Sequence, residues 1–234
     1  MKCRFACNLS RVILPLAVIA LTTACGSNNN TNAQFRLMNA SPGETALTVT
    51  LDGVAFDSSV TYGTVSPYTF TTWGSPTLEI QGPSVITGNT TTLFNGAVTL
   101  NQSTTYTAVA DNYPQDFGVT LYVDNNSVPA SGNFNLRIIN SAPGLGTVDV
   151  YVVAPGTDLN SASPKVAGLA FPAASAYLPM SAGTYEVYFT PPGQKTPRYI
   201  DSGPLAFSAK QVRTIVALNG ATSGYTDTVL SDLN

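Results

Sequence analysis

The sequence predicts an all-β protein: two tandem antiparallel β-sandwiches, immunoglobulin-like or prealbumin-like, placed after a signal peptide. Three observations carry this. Charged residues are only 10% of the 234, while there are 19 glycines and 16 prolines, a profile of many short strands joined by turns. Alternating apolar and polar stretches recur along the chain, with no convincing helical period. And one stretch occurs twice. Phe35-Arg36-Leu37-Met38-Asn39-Ala40-Ser41-Pro42-Gly43 returns as Leu136-Arg137-Ile138-Ile139-Asn140-Ser141-Ala142-Pro143-Gly144, and a repeat of this kind fixes the architecture before any local assignment.

Taken in order, the chain opens with Lys2, Arg4 and Arg11 around a ten-residue apolar run, Val12 to Leu21. The run is too short to span a bilayer, which takes about 20 residues, and suits the apolar region of a signal peptide. Thr22-Thr23-Ala24-Cys25 follows and resembles a bacterial lipobox. Residues 1–24 are therefore expected to be a lipoprotein-type signal peptide and Cys25 the lipid attachment site. The expected location is outside the cell, lipid-anchored to the bacterial membrane, and to the outer membrane if the host has one, because Ser27 follows Gly26. Residues 25–34 read as a flexible tether, since Gly26 to Asn32 is small, polar and aperiodic.

The repeat then unfolds in register. Arg36 and Arg137 are offset by 101, and the offset holds through the next strand, where Leu47, Val49 and Leu51 answer Val148, Val150 and Val152. Alternation places those three on one face, with Thr48, Thr50 and Asp52 opposite. The offset rises to 109 across Pro155–Lys165, an inserted turn-rich stretch expected to be an exposed loop. It then settles at 107 after Trp73-Gly74-Ser75-Pro76 and its counterpart Ser181-Ala182-Gly183, both of which read as hairpin turns. The last strands are Gly118–Asp124 and Tyr225–Asp232. Repeat one is thus residues 35–127, the linker 128–133 and repeat two 134–234, with six or seven strands in each repeat.

Composition excludes several chemistries. There is no histidine, the commonest general base and zinc ligand. The three cysteines all lie at or before position 25, so no disulfide can staple the domains. Ser163 with Lys165 and Ser208 with Lys210 read as turn or strand-edge polarity, and the thinly spread acids read as turn residues. No catalytic residue, metal site or cofactor is expected. Removing Lys2, Arg4 and Arg11 from ten basic residues leaves seven against thirteen acids, a net charge of −6, which argues against nucleic acid. Arg36 and Arg137 are read as structural, each stem packed on its sheet and each guanidinium bonded to carbonyls or a carboxylate.

Arg-x-[Leu/Ile]-x-Asn-x-x-Pro-Gly, the alternating strand after it, Ser66-Pro67-Tyr68 with Ser175-Ala176-Tyr177, and Ala182-Gly183-Thr184-Tyr185-Glu186-Val187 together resemble the bacterial domain-of-unknown-function family 4397, across both copies. The resemblance implies exported proteins and lipoproteins, often with tandem domains, and carries no activity to transfer. The expected function is a non-catalytic cell-envelope lipoprotein serving as an interaction or spacer module. Its partners would be the membrane through Cys25 and an envelope protein or polysaccharide. The alternative is a polysaccharide-binding module that uses the loop aromatics Trp73, Tyr113 and Tyr225 as ligand contacts.

Overall fold

A computed structural model describes residues 32–83 and 88–233. The expected signal peptide, Cys25 and residues 25–31 of the expected tether lie outside the described residues, and Ala33 and Gln34, expected in the tether, belong to the first strand.

Eight strands form the first sandwich: β1 (Ala33–Asn39), β2 (Ala46–Leu51), β3 (Val54–Thr61), β4 (Thr69–Thr71), β5 (Thr77–Pro83), β6 (Thr90–Ala97), β7 (Thr105–Asp111) and β8 (Gly118–Asp124). One sheet runs β4-β1-β7-β8 and the other β3-β2-β5-β6. Ten strands build the second: β9 (Asn133–Asn140), β10 (Val148–Val153), β11 (Val166–Leu169), β12 (Ala173–Ala174), β13 (Leu178–Ser181), β14 (Gly183–Thr190), β15 (Ile200–Asp201), β16 (Leu205–Phe207), β17 (Val212–Asn219) and β18 (Tyr225–Leu233). Its sheets run β12-β9-β17-β18, with β13 also on β9, and β11-β10-β14-β15, with β16 also on β14. The strand order of the first sandwich recurs, with the two short strands β15 and β16 in the place of β6, and β12 and β13 in the place of the three-residue β4.

The all-β sandwich expectation holds, with one correction to the pairing. The sheets are not purely antiparallel, because β1 pairs parallel with β7 and β9 parallel with β17. A parallel pair needs a long crossover, and here the crossover takes in the whole of the opposite sheet together with the edge of the same one. The first two strands also lie in different sheets, whereas immunoglobulin domains keep them together. Of the two expected architectures, the prealbumin-like one remains.

Alternation builds the cores. Leu47, Val49 and Leu51 are buried while Thr48 and Thr50 are only partly so. They meet Phe35, Leu37, Leu78, Ile80, Tyr106 and Ala108 across the first sandwich. Phe134, Leu136, Ile138, Val148, Val150, Phe189 and Ile215 fill the second. The Asp52-Gly53 turn between β2 and β3 has positive φ at both residues, 48° and 74°, the backbone that a tight two-residue hairpin demands.

Two local expectations are corrected. Trp73 to Pro76 is no hairpin turn, since it carries the chain from β4 in one sheet to β5 in the other, as Ala182 does between β13 and β14. And the inserted stretch Pro155–Lys165 is not simply exposed. Leu159 is buried against Tyr151 and Tyr188 on the outer face of β10 and β14.

Candidate functional site

The two sandwiches meet through the outer faces of their first sheets. Strand β1 sends Phe35 and Leu37 into its own core and Arg36 and Met38 the other way. Met38, Ala40 and Val109 from the first sandwich pack there on Ile139, Val216, Leu218 and Leu230 from the second. The strands at this seam are therefore covered on both sides. That explains the unbroken apolar runs Ala108-Val109-Ala110 and Ile215-Val216-Ala217-Leu218, since doubly covered strands lose the polar half of their alternation.

A closed ring of six polar side chains is buried in the seam, three from each sandwich. Arg36 Nε donates to Thr107 Oγ1 at 2.8 Å, and that hydroxyl donates to Asp124 Oδ2 at 2.6 Å. Asp124 Oδ1 accepts from Arg137 Nη2 at 2.6 Å. Arg137 Nε donates to Thr214 Oγ1 at 3.0 Å, which donates to Asp232 Oδ2 at 2.6 Å. Asp232 Oδ1 accepts from Arg36 Nη2, which closes the ring. The third nitrogen of each guanidinium donates to backbone: Arg36 Nη1 to Ser231 O at 3.0 Å and Arg137 Nη1 to Val123 O at 3.3 Å. Both arginines are 2% exposed.

Two tyrosines finish the ring in the same reciprocal way. Tyr68 donates to Asp124 Oδ2 at 2.7 Å and its ring lies 4.1 Å under the Arg36 guanidinium. Tyr177 donates to Asp232 Oδ2 at 3.2 Å and lies 4.8 Å from the Arg137 guanidinium. Burial, reinforced by Asp124, pushes the Tyr68 hydroxyl far above the usual phenol range, and burial does the same to Tyr177. Burial pulls the Arg137 guanidinium down, but Asp124, Tyr177 and Asp232 together hold it above its usual range. Two cations and two anions make the ring neutral, and its oxygens and nitrogens are partnered. That is the condition under which buried charge is tolerated. Chemically the ring is an adhesive, with its reactive atoms satisfied and shut away from solvent.

The rest of each repeated motif serves the same frame. Asn39 Nδ2 donates to Glu44 O at 2.9 Å and Val60 O at 3.1 Å, and Asn140 Nδ2 to Gly146 O at 2.7 Å and Leu169 O at 3.3 Å. Ser66 Oγ accepts from Leu37 N and Ser175 Oγ from Ile138 N, both at 2.9 Å. Each hydroxyl stands in for a missing strand partner.

The three aromatics expected to contact a ligand do not form one platform. Tyr113 receives a hydrogen bond from Asn219 Nδ2 at 2.9 Å, at the rim of the seam. Tyr225 is the strand partner of Asn219, donates to Gly144 O at 2.5 Å and packs edge-on against Tyr199. Trp73 stays 56% exposed, two residues past the Thr71 that pairs with Ala33 at the start of β1. Tyr113 follows β7, whose end lies beside the end of β1. A strand of this length separates them by roughly 20 Å. Near Trp73, an apolar groove of about 410 Å³ opens between the edge strands β3 and β4, lined by Leu51, Val54, Phe56 and Phe70 among others. Among the described residues, no group of three or more His, Cys, Asp or Glu side chains is placed to hold a metal ion, and no helix is long and apolar enough to cross a membrane.

Fold and seam together define an all-β, paired-sandwich protein. The model of the family described as "Domain of unknown function (DUF4397)" matches residues 33–151, half of the chain, from the start of β1 into β10. The chain belongs to that family. No curated protein matches it. A solved structure described as "Alpha-glucan binding by a streptococcal virulence factor" aligns with 79% of this chain and 92% of its own, at 10% identity and a TM-score of 0.25. At that score it supports no argument about this chain.

Proposed function

We propose that the protein is a non-catalytic cell-envelope lipoprotein. Its two sandwiches are a tandem pair of the same family domain, fused into one stiff interaction or spacer body held to the membrane through Cys25. The reciprocal ring at the seam carries this reading. The buried charges of Arg36, Arg137, Asp124 and Asp232 are paired with one another and spent on joining two like domains. The family match runs through the first sandwich, and the matching strand orders and corresponding ring residues support extending it to the second. The signal-like segment and the lipobox resemblance support the anchor.

Fractionating cells that express the Cys25→Ala variant tests the anchor. The variant should leave the membrane fraction for the periplasm or the medium. If it stays with the membrane, the anchor reading is wrong. The polysaccharide-binding alternative is weakened by the separation of Trp73 from Tyr113 and Tyr225, since a sugar platform needs its aromatics together.

A further inference from the structure

Three large apolar side chains of the first sandwich stand exposed near the start of β1. Val54 is 71%, Phe70 55% and Trp73 56% exposed. Val54 and Phe70 flank the open groove between β3 and β4, with Phe56 at its inner side, edge-on to the buried Phe35 at 5.2 Å. Large apolar side chains gathered at the mouth of a groove call for a partner.

The register of β1 says what lies nearby. Ala33 pairs antiparallel with Thr71, Gln34 with Phe70 and Phe35 with Thr69. Strand β1 therefore begins beside Thr71, two residues before Trp73. Cys25 is only eight residues before Ala33, and eight residues reach at most roughly 29 Å when fully extended. A lipid on Cys25 would keep this end of the sandwich within that reach of the bilayer.

The charge of the patch fits a lipid surface. The residues lining the groove include no lysine or arginine, and the one acid, Asp52, already accepts from the Thr77 backbone N–H at 2.8 Å. Attraction to anionic headgroups has no purchase here, whereas burial of aromatic and aliphatic surface does. Tryptophan in particular settles at the headgroup level, with its ring in the apolar zone and its N–H in the wet one.

We propose that Val54, Phe70 and Trp73 form a membrane-docking face that sits in the interface of the bilayer holding the anchor and fixes the tilt of the paired sandwiches on that surface. The proposal rests on Cys25 being the lipid-bearing residue. The anchor supplies attachment and the patch supplies orientation.

Trp73 is the only tryptophan in the chain, so its fluorescence reports on this face alone. The acylated protein is reconstituted into phosphatidylethanolamine–phosphatidylglycerol vesicles with either ordinary or brominated acyl chains, and co-flotation is recorded on the same samples. The expected result is co-flotation, a blue-shifted emission relative to the Cys25→Ala protein free in buffer, and loss of emission in brominated vesicles. Phe70→Asp, which keeps the tryptophan, should float equally well and restore most of the lost emission. Protein that floats but shows the same emission in both vesicle types overturns the docking face and leaves the anchor standing. Protein that does not float overturns the anchor and the docking face with it. A shift produced instead by soluble peptidoglycan fragments on vesicle-free protein overturns the proposal in favour of the sugar-binding alternative.

Discussion

The guanidinium of Arg36, in the first strand of the first sandwich, is paired with the carboxylate of Asp232, in the last strand of the second, and neither side chain is more than 2% exposed. The mirror pair is Arg137 with Asp124 at 2.6 Å. Residues at the two ends of the described chain are thus locked to each other through the middle of the molecule. Removing one partner would strand a buried charge. Arg36→Ala and Asp232→Ala are each expected to cost about 3–5 kcal/mol. The Arg36→Ala/Asp232→Ala double variant should cost clearly less than the sum, because no charge of that pair is then left alone. Urea denaturation of the four proteins in the cycle measures this, and additive losses would contradict direct coupling.

Glu44 occupies the place in its turn that Leu145 occupies in the second sandwich. Each donates its backbone N–H to the residue three before it, Glu44 to Ser41 O and Leu145 to Ala142 O. Leu145 belongs to the core. Glu44 is 1% exposed, and neither carboxyl oxygen has a hydrogen-bond partner. A Cβ at Gly82 would come within 2.5 Å of Glu44 Oε2 and 2.7 Å of Leu93, so the glycine makes room for the carboxyl group. Burial raises the Glu44 carboxyl above its usual 4.5. The folded chain therefore holds this proton more tightly than the unfolded one. The contribution to stability is full below the unfolded value and is lost as pH rises through the folded value. Glu44→Leu should stabilise the protein by about 1–3 kcal/mol at neutral pH, with a smaller gain in acid. Thermal melts of both proteins across the acid range check the sign.

How far the sequence could be read is clearest at these residues. The inward set Leu47, Val49 and Leu51 was legible because one face is core and the other is not. The repeated arginine is legible as structural, but its partner is not. Asp232 lies 196 residues from Arg36, and no local pattern reports a contact between domains. A signal existed in the continuous apolar runs of β7 and β17, which mark strands covered on both faces. Trp73 was misplaced on a hairpin because β4 has only three residues, too few for alternation to show that the chain is changing sheets.

The buried tyrosines predict an alkaline limit. Burial, outweighing the hydrogen bond to Asn219 O, pushes Tyr62 up to about 12. Burial, reinforced by Asp111 and opposed by Arg137, brings Tyr122 to about 12, and Tyr68 and Tyr177 are moved further. Unfolded tyrosine ionises near ~10. Between the two values the unfolded chain has lost protons that the folded chain keeps, so stability is full below about 10 and falls as pH rises towards 12. Absorbance titration should show a lagging class of phenols that ionise together with loss of the fold. Tyr62→Phe should delay that loss, because it removes one of the groups that favour the ionised, unfolded chain.

Leu159 gives a prediction confined to one segment. It is 2% exposed and, with Ala162, seats the stretch 155–165 on Tyr151 and Tyr188. Lys195 pins the same stretch from above: its ammonium donates to Ala162 O at 2.6 Å and Tyr151 OH at 2.8 Å. The arrangement lies on the outer face of the second sandwich, outside both cores and outside the seam. Leu159→Ala should therefore loosen the segment by about 2 kcal/mol, the low end for an apolar truncation, without a comparable effect on global unfolding, because such a surface unit can open by itself. Amide exchange and limited proteolysis should speed up within residues 155–165, while exchange in β9 and β17 stays slow. A loss shared equally by β17 would mean that the segment is part of the cooperative core and that the insertion does more than cover the sheet.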